Sequence, residues 1–113
     1  MAKILVVDDV RTDREILGKI VTHLGHTPLY AADGAQAVAT ARDAAPDLIL
    51  LDVVMPDEDG HKVCETLKSD PRTASIPVVL VTSKGGGSRE ADDQVAKPYT
   101  REAMEAVIAR YAH

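Results

Sequence analysis

The chain contains no tryptophan, no phenylalanine and a single cysteine, Cys64, among 113 residues. One cysteine closes no intrachain disulfide, which suits a reducing compartment. Three tyrosines are the only aromatic residues, so there is no platform for stacking bases and little for sugars. Long apolar runs are also lacking. The N-terminal "ILVV" is too short for the apolar region of a signal peptide and far too short to span a membrane. Positive charge is in the minority, with 13 Lys and Arg against 18 Asp and Glu and a formal net charge of -5. Without a long basic run, such a chain is a poor candidate for binding nucleic acid or an anionic membrane. The expected location is the cytoplasm. No internal repeat or interdomain linker is visible, and this length suits one core and not two, so residues 1–113 are expected to form a single domain.

What is present is alternation. The runs "KILVV" (Lys3–Val7), "DLILLD" (Asp47–Asp52) and "IPVVLVT" (Ile76–Thr82) are short, apolar and rich in branched residues, as in parallel strands buried on both faces. "TPLYAA" and "DQVAK" are weaker strand candidates. Between the runs lie segments of helical period. Ile16, Leu17, Ile20, Val21 and Leu24 make one stripe, with Thr12 or Asp13 as the expected cap and Gly25 as the expected stop. "GAQAVATARDAA" is helix-prone and stops before Pro46. Val63, Cys64 and Leu67 give a third stripe, and Ala103, Met104, Val107, Ile108 and Tyr111 a fourth. Strand then helix, repeated about five times, predicts a doubly wound α/β domain with a parallel sheet covered on both faces. In such sheets the site lies beyond the carboxyl ends of the strands.

Those ends carry Asp8 and Asp9, then Asp52, Thr82 and Lys97. Alone, an Asp-Asp pair after a strand is most often a helix cap or a turn, and Lys-Pro means almost nothing. Joint placement at four strand ends of one inferred sheet points to a functional site. Three clustered carboxylates raise one another's pKa unless a cation sits among them. Hard oxygen donors, with no His or Cys among them, favour Mg2+ over zinc. Lys97 can hold a phosphoryl oxygen as a point charge, Thr82 can donate to another, and a carboxylate free of full metal ligation can act as nucleophile toward phosphorus. Asp57, Glu58, Asp59 and Gly60 read as a turn after Met55-Pro56 that caps the third helix. Cys64 reads as a buried small hydrophobe. His23, His26, His61 and His113 show no ligand spacing.

Over nearly its whole length the chain resembles the receiver domains of two-component response regulators, with "ILVVDD", "ADGAQAV", "PDLILLDVVMPDEDG", "IPVVLVTSK", "ADD" and "AKPY" in the family's order. The resemblance implies a flavodoxin-like five-stranded sheet of order 2-1-3-4-5. It implies that Asp52 is the phosphoacceptor, and that Asp9 ligates Mg2+ directly and Asp8 through water. The backbone carbonyl of Val54 would complete the protein's share of the metal shell, Lys97 would contact the aspartyl phosphate, and Thr82 would be the switch hydroxyl. The Lys97-Pro98 bond matches one that is usually cis in the family. Implied partners are a sensor histidine kinase or histidine phosphotransfer protein and a downstream protein target. The chain would be a stand-alone receiver that catalyses only its own phosphorylation and dephosphorylation.

Two departures bear on this reading. Gln94 stands where many receivers carry the aromatic residue that couples phosphorylation to the output face; Tyr99 matches a different family position and is not assigned that role. The stretch from Thr82 to Lys97 is short by about seven residues, about two helical turns, and its "GGGS" disfavours helix. At best a single helical turn is expected near Ser88–Asp92. The crossover between the fourth and fifth strands is therefore expected to be a Gly-rich loop, by natural shortening or engineered replacement of a helix. Apolar sheet surface would be left exposed there, favouring a homodimer or an oligomer that exchanges its C-terminal strand and helix. The alternative functions are a non-switching or engineered receiver acting as a binding module, and a Mg2+-dependent phosphatase with an aspartyl nucleophile. Val54 stands where such phosphatases carry a second acid, which argues against the latter.

Overall fold

A computed structural model describes residues 2–52, 54–55, 58–82 and 91–112, with the backbone alone at 54, 55, 58 and 59. In chain order the elements are β1 (Lys3–Val7), α1 (Arg11–His23), β2 (Thr27–Ala31), α2 (Gly34–Ala44), β3 (Leu48–Asp52), β4 (Val54–Met55), β5 (Glu58–Asp59), α3 (Gly60–Ser69), β6 (Val78–Thr82), β7 (Asp93–Ala96) and α4 (Arg101–Tyr111). Five strands form one parallel sheet in the order β2-β1-β3-β6-β7. Counting those strands alone, this is the anticipated 2-1-3-4-5. The two-residue strands β4 and β5 pair antiparallel in a separate ladder.

The continuous apolar runs became the three central strands, and their side chains alternate strictly between two cores. Ile4, Val6, Leu48, Leu50, Val79 and Val81 face the layer built by Leu17, Ile20 and Val21 of α1 and Met104, Val107 and Ile108 of α4. Leu5, Val7, Ile49, Leu51, Val78 and Leu80 face Ala37 and Ala41 of α2 and Val63, Cys64 and Leu67 of α3. Each fully buried Val, Leu or Ile is worth roughly 1.5–3 kcal/mol relative to exposure, so burial on both faces explains why these strands lack polar alternation. Cys64 is buried, as anticipated.

Local signals set the helix ends. Asp33 caps α2 by accepting from the Gln36 amide at 2.8 Å, while the Gln36 side chain accepts from the Ala32 amide at 3.0 Å. Thr100 caps α4 through the Ala103 amide at 3.0 Å. The expected cap of α1 at Thr12 or Asp13 is corrected: the cap position is Val10, without a side-chain hydrogen bond, and both residues lie inside the helix. Ile16 is likewise 46% exposed and outside the buried stripe. Gly25 follows α1 at φ 87°, a left-handed conformation that only glycine adopts without strain. Within the predicted turn, Glu58 and Asp59 instead pair with Met55 and Val54, and Gly60 opens α3.

Ala45 takes the left-handed position after α2 at φ 46° and ψ 62°, a conformation costly for a residue with a Cβ. Ala45→Gly is expected to stabilise the protein by about 0.5–1 kcal/mol, seen as a rise of about 4 °C in melting temperature. An unchanged or lower melting temperature would count against strain at this cap.

The Gly-rich loop and most of the helical turn expected near Ser88–Asp92 lie outside the described residues; Ala91 and Asp92 enter β7 outside any helix. Of the apolar sheet surface expected to be exposed beside that loop, only Ala96 is exposed among the described residues of β6 and β7. Val78 and Leu80, the β6 residues on the α2/α3 face, are fully buried, and on β7 the exposed residues are Gln94 and Ala96. Among the described residues, no helix is long and apolar enough to cross a membrane.

Candidate functional site

The carboxyl ends of four neighbouring strands carry the residues singled out above. β1 runs into Asp8 and Asp9, β3 ends on Asp52, β6 ends on Thr82, and Lys97 follows β7 directly. The ladder aligns them, since Val7 lies opposite Leu51, Asp52 opposite Val81, and Thr82 opposite Ala96. One further backbone bond, from the Lys97 amide to the Thr82 carbonyl at 2.6 Å, extends the last ladder to the site itself. The peptide bond between Lys97 and Pro98 is cis.

This register brings one carboxylate oxygen from each of Asp8, Asp9 and Asp52 within 4.8 Å of the others. Asp8 and Asp52 are buried, at 1% and 4% exposure. Lys97 places Nζ 3.5 Å from Asp52 Oδ1 and 3.8 Å from Asp8 Oδ2. Thr82 is buried at the same sheet end, on the strand between those of Asp52 and Lys97. Val54 lies two residues beyond Asp52 on β4, opposite Asp59.

Asp8 is the most constrained of the set. Its amide donates to the Ala31 carbonyl at 3.1 Å, its carbonyl accepts from Arg14 Nη1 at 2.9 Å, and Oδ1 accepts from the Val10 amide at 2.9 Å. Oδ2 is buried without a hydrogen-bond partner among the described residues. Burial is the main force on this carboxyl and pushes its pKa up to about 6. The Val10 hydrogen bond opposes that, Asp52 adds to it, Lys97 opposes it, and Asp13 adds to it. Tyr99, half-buried against the α1/α4 core, has its phenol pushed upward by burial and by Asp13 and Asp8.

Three carboxylates against one ammonium leave an excess of negative charge in a site largely removed from water. A buried carboxylate oxygen with no donor is where a cation would be bound, and an all-oxygen donor set fits a hard divalent ion such as Mg2+. The site can therefore gather a cation and hold a carboxylate and an ammonium side by side. Arg14, which anchors the Asp8 backbone from α1, was not foreseen. Its only sequence signal is its place one turn into the helix that follows the acidic pair.

Comparison with known proteins gives the same picture. The family model described as the response regulator receiver domain matches residues 4–109. The chain is 37% identical to protein PilH of Pseudomonas aeruginosa over 111 residues, covering 92% of each. It is 47% identical to the response regulator PleD of Caulobacter vibrioides over 85 residues, which are 75% of this chain and 19% of that protein. Among solved structures, it superposes with a TM-score of 0.88 on the receiver domain of the sensor histidine kinase PA1611 of Pseudomonas aeruginosa, which holds a magnesium ion in its active-site cleft. That match is 26% identical and covers 97% of this chain and 96% of the other.

Proposed function

The chain belongs to the response regulator receiver domain family, whose general function is to be phosphorylated by histidine kinases in two-component systems, and we propose that Asp52 is the residue that takes the phosphoryl group. The observation that carries this assignment is the convergence of Asp8, Asp9, Asp52 and Lys97, with Asp8 Oδ2 left without a donor. We read residues 1–113 as one receiver unit, supported by a single five-stranded sheet with a core on each face.

An Asp52 carboxylate oxygen attacks phosphorus in line. The bond from phosphorus to the donor imidazole nitrogen breaks, and the imidazole keeps the electron pair and takes up a proton. Lys97 offsets charge on the equatorial oxygens, and the Thr82 hydroxyl donates to the phosphoryl group once it is in place. Receivers bind Mg2+ at an acidic pocket. Here Asp8, Asp9, Asp52 and the backbone carbonyl of Val54 would hold it. When bound, the ion supplies positive charge that neutralises the entering phosphoryl oxygens. The product acyl phosphate hydrolyses spontaneously, which makes the signal transient. The protein is thus read as a signalling element that transforms no substrate but itself.

Receivers interact with histidine kinases or phosphotransfer proteins and with downstream targets. For this chain we take the target to be a protein, on the acidic charge balance, and the location to be the cytoplasm, on the single cysteine. A homodimer or exchanged oligomer through the short crossover has less support than the sequence offered, since β6 buries its apolar residues. Gln94 favours a second reading, a receiver that accepts phosphate without the usual aromatic relay. Gln94 is exposed on β7 and packs into neither core.

The test is incubation with labelled acetyl phosphate and Mg2+. The expected product carries one phosphoryl group per chain and loses it to hydroxylamine. No labelling, or a label resistant to hydroxylamine, would sink the assignment.

A further inference from the structure

β7 is the weakest strand of the sheet by packing, yet it delivers Lys97. The central strands are buried at nearly every position, whereas β7 alternates between half-buried and exposed residues and gives only Val95 to a core. Register in a parallel sheet is set chiefly by the hydrophobic pattern, so a short edge strand with one apolar anchor is weakly specified. A slip of one residue would move Lys97 by roughly 3.3 Å and turn its neighbours to the opposite face.

Polar contacts do what packing does not. On the α2/α3 face, Lys68 at the end of α3 spends all three of its donors. It reaches Asp92 Oδ2 at 2.7 Å, the Ile76 carbonyl at 2.7 Å and the Ala74 carbonyl at 3.3 Å. Its side chain is only 16% exposed. Asp92 in turn brackets Val78, accepting from its amide through Oδ2 at 2.8 Å and donating its own amide to the Val78 carbonyl at 2.9 Å. On the α1/α4 face, Arg110 Nη1 reaches Asp93 Oδ2 at 2.6 Å. The Tyr111 hydroxyl donates to the Asp92 carbonyl at 3.1 Å or to Asp93 Oδ2 at 3.3 Å.

The two acids explain why both faces are needed. A slip one way would bring Ala91 opposite Val78 and leave Lys68 without a carboxylate. A slip the other way would offer Asp93 to Lys68, but would then take that acid from Arg110 and Tyr111. Only the observed register satisfies both sides.

We propose that Lys68 on one face, with Arg110 and Tyr111 on the other, clamps Asp92 and Asp93 so that the register of β7 is fixed and Lys97 is held in the acidic site. These are positioning residues, acting through Lys97 from the opposite end of its strand. The inference rests on the role given above to Lys97. Its test separates the two.

Lys68→Met and Lys97→Ala are made singly and together, with Lys68→Arg as the conservative variant. Phosphorylation by acetyl phosphate, Mg2+ affinity and amide exchange along β7 by NMR are measured for each. Lys68→Met is expected to accelerate exchange at Gln94–Lys97 and to slow phosphorylation by up to about a hundredfold, the scale of misplacing a catalytic group by about an ångström. Mg2+ affinity should not fall, because the acidic residues sit on β1 and β3 and a displaced Lys97 removes only a positive charge that competes with the cation. In the Lys97→Ala background the second substitution should slow phosphorylation no further, and Lys68→Arg should restore most of the rate. Unchanged exchange in Lys68→Met, a parallel loss of Mg2+ affinity, or an equal further loss in the double variant would each overturn the clamp. Accelerated exchange with a wild-type rate in Lys97→Ala would uphold the clamp and remove the role of Lys97.

Discussion

Asp52→Asn is expected to lower phosphate incorporation from acetyl phosphate by at least about three orders of magnitude, the scale on which loss of a nucleophile is felt. The substitution keeps the shape of the side chain and removes its charge and nucleophilicity. Asp52 is 4% exposed and lies 3.5 Å from the Lys97 ammonium, so an attacking oxygen there is both oriented and electrostatically supported. Asp8 and Asp9 occupy the same cluster, and the measurement discriminates among the three. Label that persists on Asp52→Asn, at a stoichiometry near that of the parent, would move the acceptor to another carboxylate. Intact mass and peptide mapping would identify it.

The second large effect concerns Asp8, where stability and cation binding are expected to move in opposite directions. Its carboxyl has a folded-state pKa of about 6 against an ordinary 3.8, so the fold favours the neutral form. The group's contribution to stability is fully present below about 3.8 and is lost as pH rises through about 6. Above that range the cation-free protein carries a buried, under-solvated charge costing on the order of 2–3 kcal/mol. Asp8→Asn should therefore raise the melting temperature of the cation-free protein at pH 7.5, and the gain should shrink through pH 6 and vanish near pH 4. The same substitution should weaken Mg2+ binding more than about tenfold, as expected when a charged ligand is lost. Mg2+ should stabilise the parent most at high pH and the variant little at any pH. Melting curves with and without Mg2+ at several pH values check both signs. A variant less stable than the parent at pH 7.5 without Mg2+ would show that the carboxylate is held by something stronger than the burial that opposes it.

The parts of the fold that were legible are those where one physical term dominates. β1, β3 and β6 announced themselves as unbroken branched runs because both faces are buried, and the acidic cluster followed from where parallel strands end. α1 was placed correctly but its start was misread. Thr12 and Asp13 are good capping residues, whereas Val10 occupies the cap and its own amide is bound by Asp8. Ile16 fits the apolar period yet points to solvent, because a stripe of five residues is wider than the face this helix buries. Lys68 was invisible as anything but a polar-face lysine in the last turn of a helix. Two of its three partners are backbone carbonyls, which leave no mark in a sequence, and the third, Asp92, lies far along the chain beyond β6. Exposed apolar surface beside the short crossover was inferred from a missing helix, but burial of Val78 and Leu80 is a property of the whole chain and not of that segment.

The strict alternation of side chains along the central strands has a consequence for how such a chain can change over time. Leu5 and Val6 are neighbours in sequence, yet among the described residues they belong to two separate cores on opposite faces of the sheet. Packing errors on the α1/α4 side need no repair on the α2/α3 side, so each helical layer is free to drift at its own pace. What both layers share is the rim where the strands end. A lineage can re-tailor either outer surface to a new associate while the acidic rim between them stays as it was.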